Sequence, residues 1–233
     1  MIYLYTGTPG SGKSYHVAKE IWFQIRRGKN VIANFDINYD AIPGKHKGYF
    51  FCKDNFELTV DWIQDFARLC HKRDAKGRII EGQTYLIIDE CQLIFNCRSW
   101  NDRERQLWCS FFTQHRKWGY HVILITQFDR LIDRQLRSLV EYEIKHRKIN
   151  NFGMGGFFLG LFTFGRPVFA AIETWYGVKE KCGMTIMLGQ NKYYELYDSY
   201  KMFETPPETA RGAAKPRGSL NGSGGQFSGA KFR

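Results

Sequence analysis

The 233-residue chain is long enough for one substantial domain, and its 43% content of hydrophobic residues excludes a disordered chain. Its formal net charge of +11 favours polyanionic partners, such as nucleic acid or an anionic membrane face, without choosing between them. A third interpretation of this charge is a basic surface with no specific partner. The six cysteines form no CxxC pair, so a reduced, cytoplasmic compartment is the simplest fit.

Short apolar runs alternate with amphipathic segments over the first 138 residues. Residues 2 to 6 (IYLYT) predict a buried strand, with no room before it for a signal peptide. Further strands are predicted at residues 30–37, 85–89 and 120–126, and helices at 14–27, 56–73 and 102–117. Residues 38–55 are predicted to be mostly loop. The alternation predicts an α/β fold, a mostly parallel sheet covered by helices on both faces.

The pattern changes after residue 138, where strand-like runs follow one another. We predict a P-loop-type core at residues 1–138, a β-rich C-terminal extension of the same domain at 139–204, and a disordered basic tail at 205–233. The longest charge-free run, residues 149–165, holds five glycines and falls short of the roughly 20 apolar residues of a membrane helix. It predicts a glycine-rich hairpin or loop, and no transmembrane segment is predicted.

A phosphate-binding loop follows the first strand. Residues 7–14 (GTPGSGKS) match the pattern G-x-x-x-x-G-K-[ST] at every fixed position, between a strand and a helix as the motif requires. Lys13 is predicted to contact the β- and γ-phosphates, and the Ser14 hydroxyl to bind Mg²⁺. The residues predicted to hold the nucleotide, ATP, are Gly7, Thr8, Pro9, Gly10, Ser11, Gly12, Lys13 and Ser14.

Two acids end the apolar run LIIDE at residues 86–90. Two carboxylates at the end of a buried strand are costly without a cation. We therefore predict that Asp89 holds Mg²⁺, directly or through water, and that Glu90 is the general base for the attacking water.

Two further residues are candidates for the chemistry. Gln127 follows the strand at residues 120–126, which we expect between the P-loop strand and the strand of the acid pair, so it could touch the γ-phosphate or the water. Arg116 lies at the end of the helix before that strand. It is predicted to approach the nucleotide edge of the sheet and to act on the ATP of a neighbouring subunit.

These motifs together resemble the zonula occludens toxin (Zot) family. The resemblance rests on TGTPGSGKS, LIIDECQ, TQHRKWGYHVILITQ and LIDRQLR and covers about residues 1–150. It implies a P-loop ATPase fold of the RecA/FtsK/HerA-like branch and a homo-oligomeric ring, with a hexamer as one form. It also implies work with phage or membrane assembly proteins at the inner face of the host cell membrane. Membrane-anchored members continue through a transmembrane helix, whereas this sequence ends in a polar tail.

Three functions are consistent with the sequence. The first is a motor ATPase for filamentous phage assembly and export of single-stranded DNA. The second is a soluble ATPase that packages or translocates DNA and grips it directly, and the third is an ATP-binding scaffold or switch. A small-molecule kinase fits less well, because kinase P-loop enzymes rarely pair Asp-Glu with a following strand that ends in Gln.

Overall fold

The computed structural model describes residues 1–45, 47–95, 102–149, 163 and 165–197. Within these residues, eight strands form one sheet in the order β3-β2-β4-β5-β1-β6-β7-β8. The strands are β1 (Ile2–Thr6), β2 (Asn30–Ala33), β3 (Phe50–Cys52), β4 (Thr84–Ile88), β5 (Tyr120–Ile125), β6 (Tyr142–Lys148), β7 (Val168–Trp175) and β8 (Glu180–Leu188). β1 to β6 run parallel, and β7 and β8 are joined to them in antiparallel pairs.

Helices cover both faces of this sheet. The α-helices of the described residues are α1 (Lys13–Arg26), α2 (Val60–Cys70), α3 (Asp102–Gln114), α4 (Arg134–Ser138) and α5 (Asn191–Tyr194). The apolar side of α1, with Val17, Ile21 and Ile25, packs on one face. The buried sides of α2 and α3 pack on the other, around Ile63 and Phe111. The predicted α/β fold with a mostly parallel, doubly covered sheet is therefore confirmed.

Two details differ from the sequence pattern. β2 ends at Ala33 rather than continuing to residue 37, because the next side chain, Asn34, hydrogen bonds to the backbone of Asp89 at 2.7 and 2.8 Å. The region predicted to be mostly loop contains β3, a three-residue strand at the edge of the sheet. A strand this short leaves almost no periodic signal.

The chain after residue 138 continues the same sheet. β6 pairs in parallel with β1, and β7 and β8 extend the sheet beyond it. Phe169 of β7 packs on Tyr15 of α1, with ring centroids 5.4 Å apart. Residues 150–162 and 198–233, which include most of the predicted glycine-rich hairpin and the whole predicted tail, lie outside the described residues. In the described part, every helix is too short or too polar to span a bilayer.

The strand order brings three loops to one edge. β5 lies between β1 and β4, and all three run in the same direction. The segments that follow them are therefore neighbours at the carboxyl edge of the sheet, where ligands bind in open α/β folds. These segments carry the P-loop, Gln127 and the acid pair.

Candidate nucleotide-binding site

Glycines allow the loop at residues 7–14 to turn sharply between β1 and α1. Gly7, Gly10 and Gly12 have φ angles of 146°, 71° and 100°, a region that side chains disfavour. A Cβ atom at Gly12 would also lie 2.5 Å from the ring of Phe169. The sequence pattern did not reveal this second requirement, which comes from the packing of β7 beneath the loop.

Lys13 and Ser11 place polar groups within the loop. The Lys13 ammonium donates to the carbonyl oxygens of Gly7 at 2.5 Å and Thr8 at 3.3 Å. The buried Ser11 hydroxyl has no hydrogen-bond partner among the residues that the structure describes. Ser14, in the first turn of α1, is partly exposed. A phosphate bound beside the helix N-terminus would accept a hydrogen bond from this unpaired hydroxyl.

Asp89 is fixed by side chains from two distant parts of the chain. Asn34, just after β2, accepts from the Asp89 amide at 2.7 Å and donates to its carbonyl at 2.8 Å. The Tyr197 hydroxyl donates to Asp89 Oδ2 at 2.8 Å, and the Glu90 amide donates to Oδ1 at 2.8 Å. Neither Asn34 nor Tyr197 was predicted as a site residue. A polar residue following the apolar run NVIA was the available signal for Asn34, and no local signal marked Tyr197.

The environment of Asp89 favours a cation. Its side chain is buried, and burial raises the pKa of the carboxyl because the charged form loses its hydration. The hydrogen bonds from Tyr197 and from the Glu90 amide, and the charge of Lys13, act in the opposite direction, whereas the Glu90 charge raises the pKa further.

Glu90 adopts a backbone conformation that is unusual for its type. Its φ and ψ of 44° and 46° lie in the left-handed region, which costs a non-glycine residue on the order of 1 kcal/mol or more. Glu90 lies in the turn that follows β4. The Glu90 carboxylate accepts a hydrogen bond from the Gln92 side chain. Backbone strain of this kind is concentrated at functional sites.

Lys13 connects the loop electrostatically to the acid pair. Burial lowers the pKa of its ammonium, and the negative charges of Glu90 and Asp89 oppose that shift. This coupling agrees with the strand order, which places the P-loop and the acid pair at the same edge of the sheet.

Gln127 lies at the same edge. The backbone carbonyl of Gln127 accepts a hydrogen bond from the Gly7 amide at 3.4 Å, and its side chain is partly exposed. The sheet order agrees with the expected position of its strand between β1 and β4. Contact of the Gln127 side chain with a phosphate or water stays a prediction.

Arg116 does not lie at this edge, so its predicted position is wrong. The helix before a parallel strand delivers its end to the place where the strand begins, and Arg116 precedes the first residue of β5. There it forms a 2.6 Å ion pair with Glu141, just before β6. The P-loop is at the opposite, carboxyl end of the same strands.

The oxygen ligands fit Mg²⁺. This small, hard cation is bound in nucleotide sites by one or two protein oxygens and by phosphate oxygens. The Asp89 carboxylate, which burial destabilises, and the Ser14 hydroxyl supply such oxygens. When bound, the ion would neutralise charge that develops on the phosphates.

The Tyr197 hydroxyl gives a testable pH dependence. It stabilises the charged form of Asp89, so its loss in Tyr197→Phe should raise the pKa of that carboxyl. Hydrolysis and Mg²⁺-dependent nucleotide binding should then fail at a higher pH on the acid side than in the wild type. Tyr194→Phe, which changes an exposed tyrosine nearby, is the control. Coincident acid limbs for wild type and Tyr197→Phe would contradict the assignment.

A pair of histidines lies behind the loop, and of the two His146 is buried and His16 is partly exposed. His16 Nδ1 of α1 lies 2.9 Å from His146 Nε2 of β6, and His146 Nδ1 lies 3.2 Å from the Thr6 carbonyl oxygen. Tyr5 stacks on His16, with centroids 4.9 Å apart. Burial lowers the pKa of His16 to about 3 and that of His146 to about 4. Both rings are therefore neutral at pH 7.

The free energy of unfolding should consequently fall as the pH drops from 6.5 toward 4. Between these pH values the two histidines take up protons in the unfolded chain but stay neutral in the folded chain. This difference lowers the free energy of unfolding by about 1.4 kcal/mol per pH unit for each histidine. Thermal melts of His16→Gln should show a shallower fall than wild type over the same range. His71, His115 and His121, whose pKa values are also lowered, supply the remaining slope. Equal slopes would show that the pair does not govern acid stability.

Comparison with known proteins gives this site its context. A family model described as zonular occludens toxin (Zot) matches residues 1–201. The Gene 1 protein of Enterobacteria phage fd is 31% identical over 153 residues, covering 64% of this chain and 42% of that protein. The Gene 1 protein of Salmonella phage IKe is 25% identical over 153 residues, covering 64% and 40%. The matches thus span less than half the length of these curated relatives.

Solved structures share the fold. The N-terminal domain of zonular occludens toxin from Neisseria meningitidis has a TM-score of 0.50 at 20% identity, covering 84% of this chain and 98% of that domain. The DNA-packaging ATPase B204 from Sulfolobus turreted icosahedral virus has a TM-score of 0.50 at 16% identity, covering 79% and 95%. At these identities the likeness concerns the fold alone. The predicted family is confirmed: the chain belongs to the Zot family and has the fold of P-loop ATPases.

Proposed function

We propose that this chain binds Mg-ATP in the loop at residues 7–14 and hydrolyses it with Glu90 as the general base. The observation that carries the proposal is the strand order, which brings the P-loop after β1 and the acid pair after β4 to the same carboxyl edge of the sheet, on either side of β5. Hydrolysis of a phosphoanhydride requires charge neutralisation and an oriented water, and these groups can supply both.

The surroundings of the loop suggest how ATP would lie. A cavity of about 190 Å³ opens between Thr8–Ser11 of the loop and His146–Lys148 at the end of β6. β6 flanks β1 on the side away from β5 and β4. The γ-phosphate would thus point toward Asp89 and Glu90, with Gln127 as a sensor beside it, and the nucleoside would point toward β6.

At the level of the whole protein, we propose a motor for phage assembly that exports single-stranded DNA at the inner face of the host cell membrane. Family membership and the similarity to Gene 1 proteins of phages support this role. The net charge of +11 suits DNA and an anionic membrane surface. The motor would work as a homo-oligomeric ring, with a hexamer as one form, together with phage or membrane assembly proteins.

The second candidate is a soluble DNA-packaging ATPase that binds DNA directly and needs no membrane. The likeness to the DNA-packaging ATPase of the Sulfolobus virus makes this function compatible with the fold. It does not favour this function over the first. An ATP-binding switch with slow turnover is the third candidate.

Two measurements separate these functions: Mg²⁺-dependent ATP turnover with and without single-stranded DNA, and flotation of the protein with anionic vesicles. We expect Mg²⁺-dependent ATP hydrolysis that single-stranded DNA stimulates, and co-flotation of the protein with anionic vesicles. DNA stimulation without flotation would favour the soluble packaging ATPase. Tight ATP binding with no stimulated turnover would favour the switch and contradict the motor.

A further inference from the structure

A second groove lies at the edge of the sheet opposite the nucleotide site. Its volume is about 820 Å³, within the range of pockets that enclose small organic molecules. The end of α2, the segment leading into β4 and the segment leading into β5 form its walls. Because these strands begin here, the groove is separated from the P-loop by the length of the sheet.

The groove carries a surplus of positive charge. Its lining includes four cations and two acids, which are Arg68, Arg73, Arg78, Lys117, Asp74 and Glu81. Asp74 pairs with Arg78 at 2.9 Å, and Arg68 pairs with Asp65 at 2.6 Å. Arg73 and Lys117 are exposed, and neither forms an ion pair with any residue that the structure describes. The Arg73 guanidinium donates one hydrogen bond, to the Gly77 carbonyl at 2.9 Å, and its other N–H groups and the Lys117 ammonium can bind an anion.

An aromatic ring lies among these cations. The guanidinium of Arg68 lies 5.2 Å from the ring centroid of Trp118, and both side chains line the groove. Ile80, on the segment leading into β4, is 46% exposed. Aromatic rings and arginine side chains between cations are the groups with which proteins bind unpaired nucleobases and their phosphate backbone.

We propose that this groove binds single-stranded nucleic acid, with Arg73 and Lys117 on phosphates and the Arg68–Trp118 pair against bases. The bases of a duplex are not accessible to such a pair, and a bilayer presents a flat surface to a concave groove. The inference rests on the proposed function and refines it, since it locates the contact with DNA. The contact would be made at the edge of the sheet remote from ATP.

Anisotropy of a fluorescent oligothymidylate tests the groove directly. Arg73→Glu/Lys117→Glu should weaken binding at low salt by about 10-fold or more, and the slope of log affinity against log salt should flatten by about 0.7 for each phosphate that is no longer neutralised. Trp118→Leu should weaken binding without changing that slope. Arg27→Glu/Lys45→Glu makes the same charge change at exposed positions that do not line the groove and serves as the control. ATP binding and basal hydrolysis should not change in any of these variants, and thermal melts verify their folding.

Two outcomes would overturn the proposal, and a third would separate it from the proposed function. If both double variants weaken binding equally, the effect is one of net charge and the groove is not the site. If the wild type binds no oligothymidylate but the groove variant binds anionic vesicles less tightly, the surface recognises lipid. A wild type that fails to hydrolyse ATP yet binds the oligonucleotide through the groove would refute the proposed motor and leave this site intact.

Discussion

Replacing Glu90 by Gln is expected to slow ATP hydrolysis by about 10² to 10⁴-fold, the usual effect of removing a general base. The amide has the shape of the carboxylate but cannot accept the proton of the attacking water. ATP binding should persist, because the loop, Lys13 and Asp89 are unchanged. Single-turnover hydrolysis and equilibrium binding of ATP, measured on the same sample, separate the two effects.

Glu180→Gln is the matched control for this experiment. Glu180 begins β8 and is exposed, so the same chemical change there should leave turnover at the wild-type rate. Normal hydrolysis by Glu90→Gln would mean that another group activates the water, and Asp89 would be tested next.

Replacing Lys13 by Ala is expected to abolish detectable nucleotide binding or hydrolysis. Lys13 is the cation within the loop itself, and loss of one electrostatic stabiliser of a transition state typically costs about 10² to 10³-fold in rate. The fold should persist, because the half-exposed ammonium contacts loop carbonyls rather than the apolar core. Binding of a fluorescent ATP analogue and steady-state hydrolysis provide the measurements.

Lys19→Ala, on the same helix, controls for the loss of a positive charge. Its partly exposed side chain lies beyond the loop, and its replacement should leave binding unchanged. Equal turnover by wild type and Lys13→Ala would remove the loop from the active site. A large drop in melting temperature would instead assign Lys13 a structural role.

The P-loop and the acid pair could be predicted because each motif consists of residues that are consecutive in the sequence. Residues 7–14 and 86–90 each follow an apolar run, and a strand end in a parallel sheet leads to the ligand edge. The position of Gln127 followed from the strand order of related ATPases. The first two features need only local sequence and the direction of the strands, whereas Gln127 also needed that knowledge of strand order.

The direction of the strands also explains the error at Arg116. A residue before a parallel strand and a residue after it lie at opposite edges of the sheet. Arg116 precedes β5 and Gln127 follows it, so the two lie at opposite edges, and action of Arg116 on the ATP of a neighbouring subunit stays a prediction. The rule that places Gln127 at the ligand edge therefore places Arg116 at the other edge.

Tyr197 could not have been predicted in the same way. It is 108 positions from Asp89, and its hydroxyl reaches the carboxylate only after the segment following α5 packs beside Phe35, with ring centroids 4.5 Å apart. Phe169 beneath Gly12 is a similar case. Such contacts depend on how the C-terminal strands and helix fold back on the core, which one sequence does not reveal.

The most direct test of the central claim is a single-turnover assay of ATP hydrolysis by the wild-type chain, with Mg²⁺ and after chelation by EDTA. One site formed by Ser14, Lys13, Asp89 and Glu90 predicts that bound ATP is converted to ADP and phosphate only when Mg²⁺ is present. Bound ATP that stays intact in Mg²⁺ would contradict the account, and so would hydrolysis that continues unchanged after chelation.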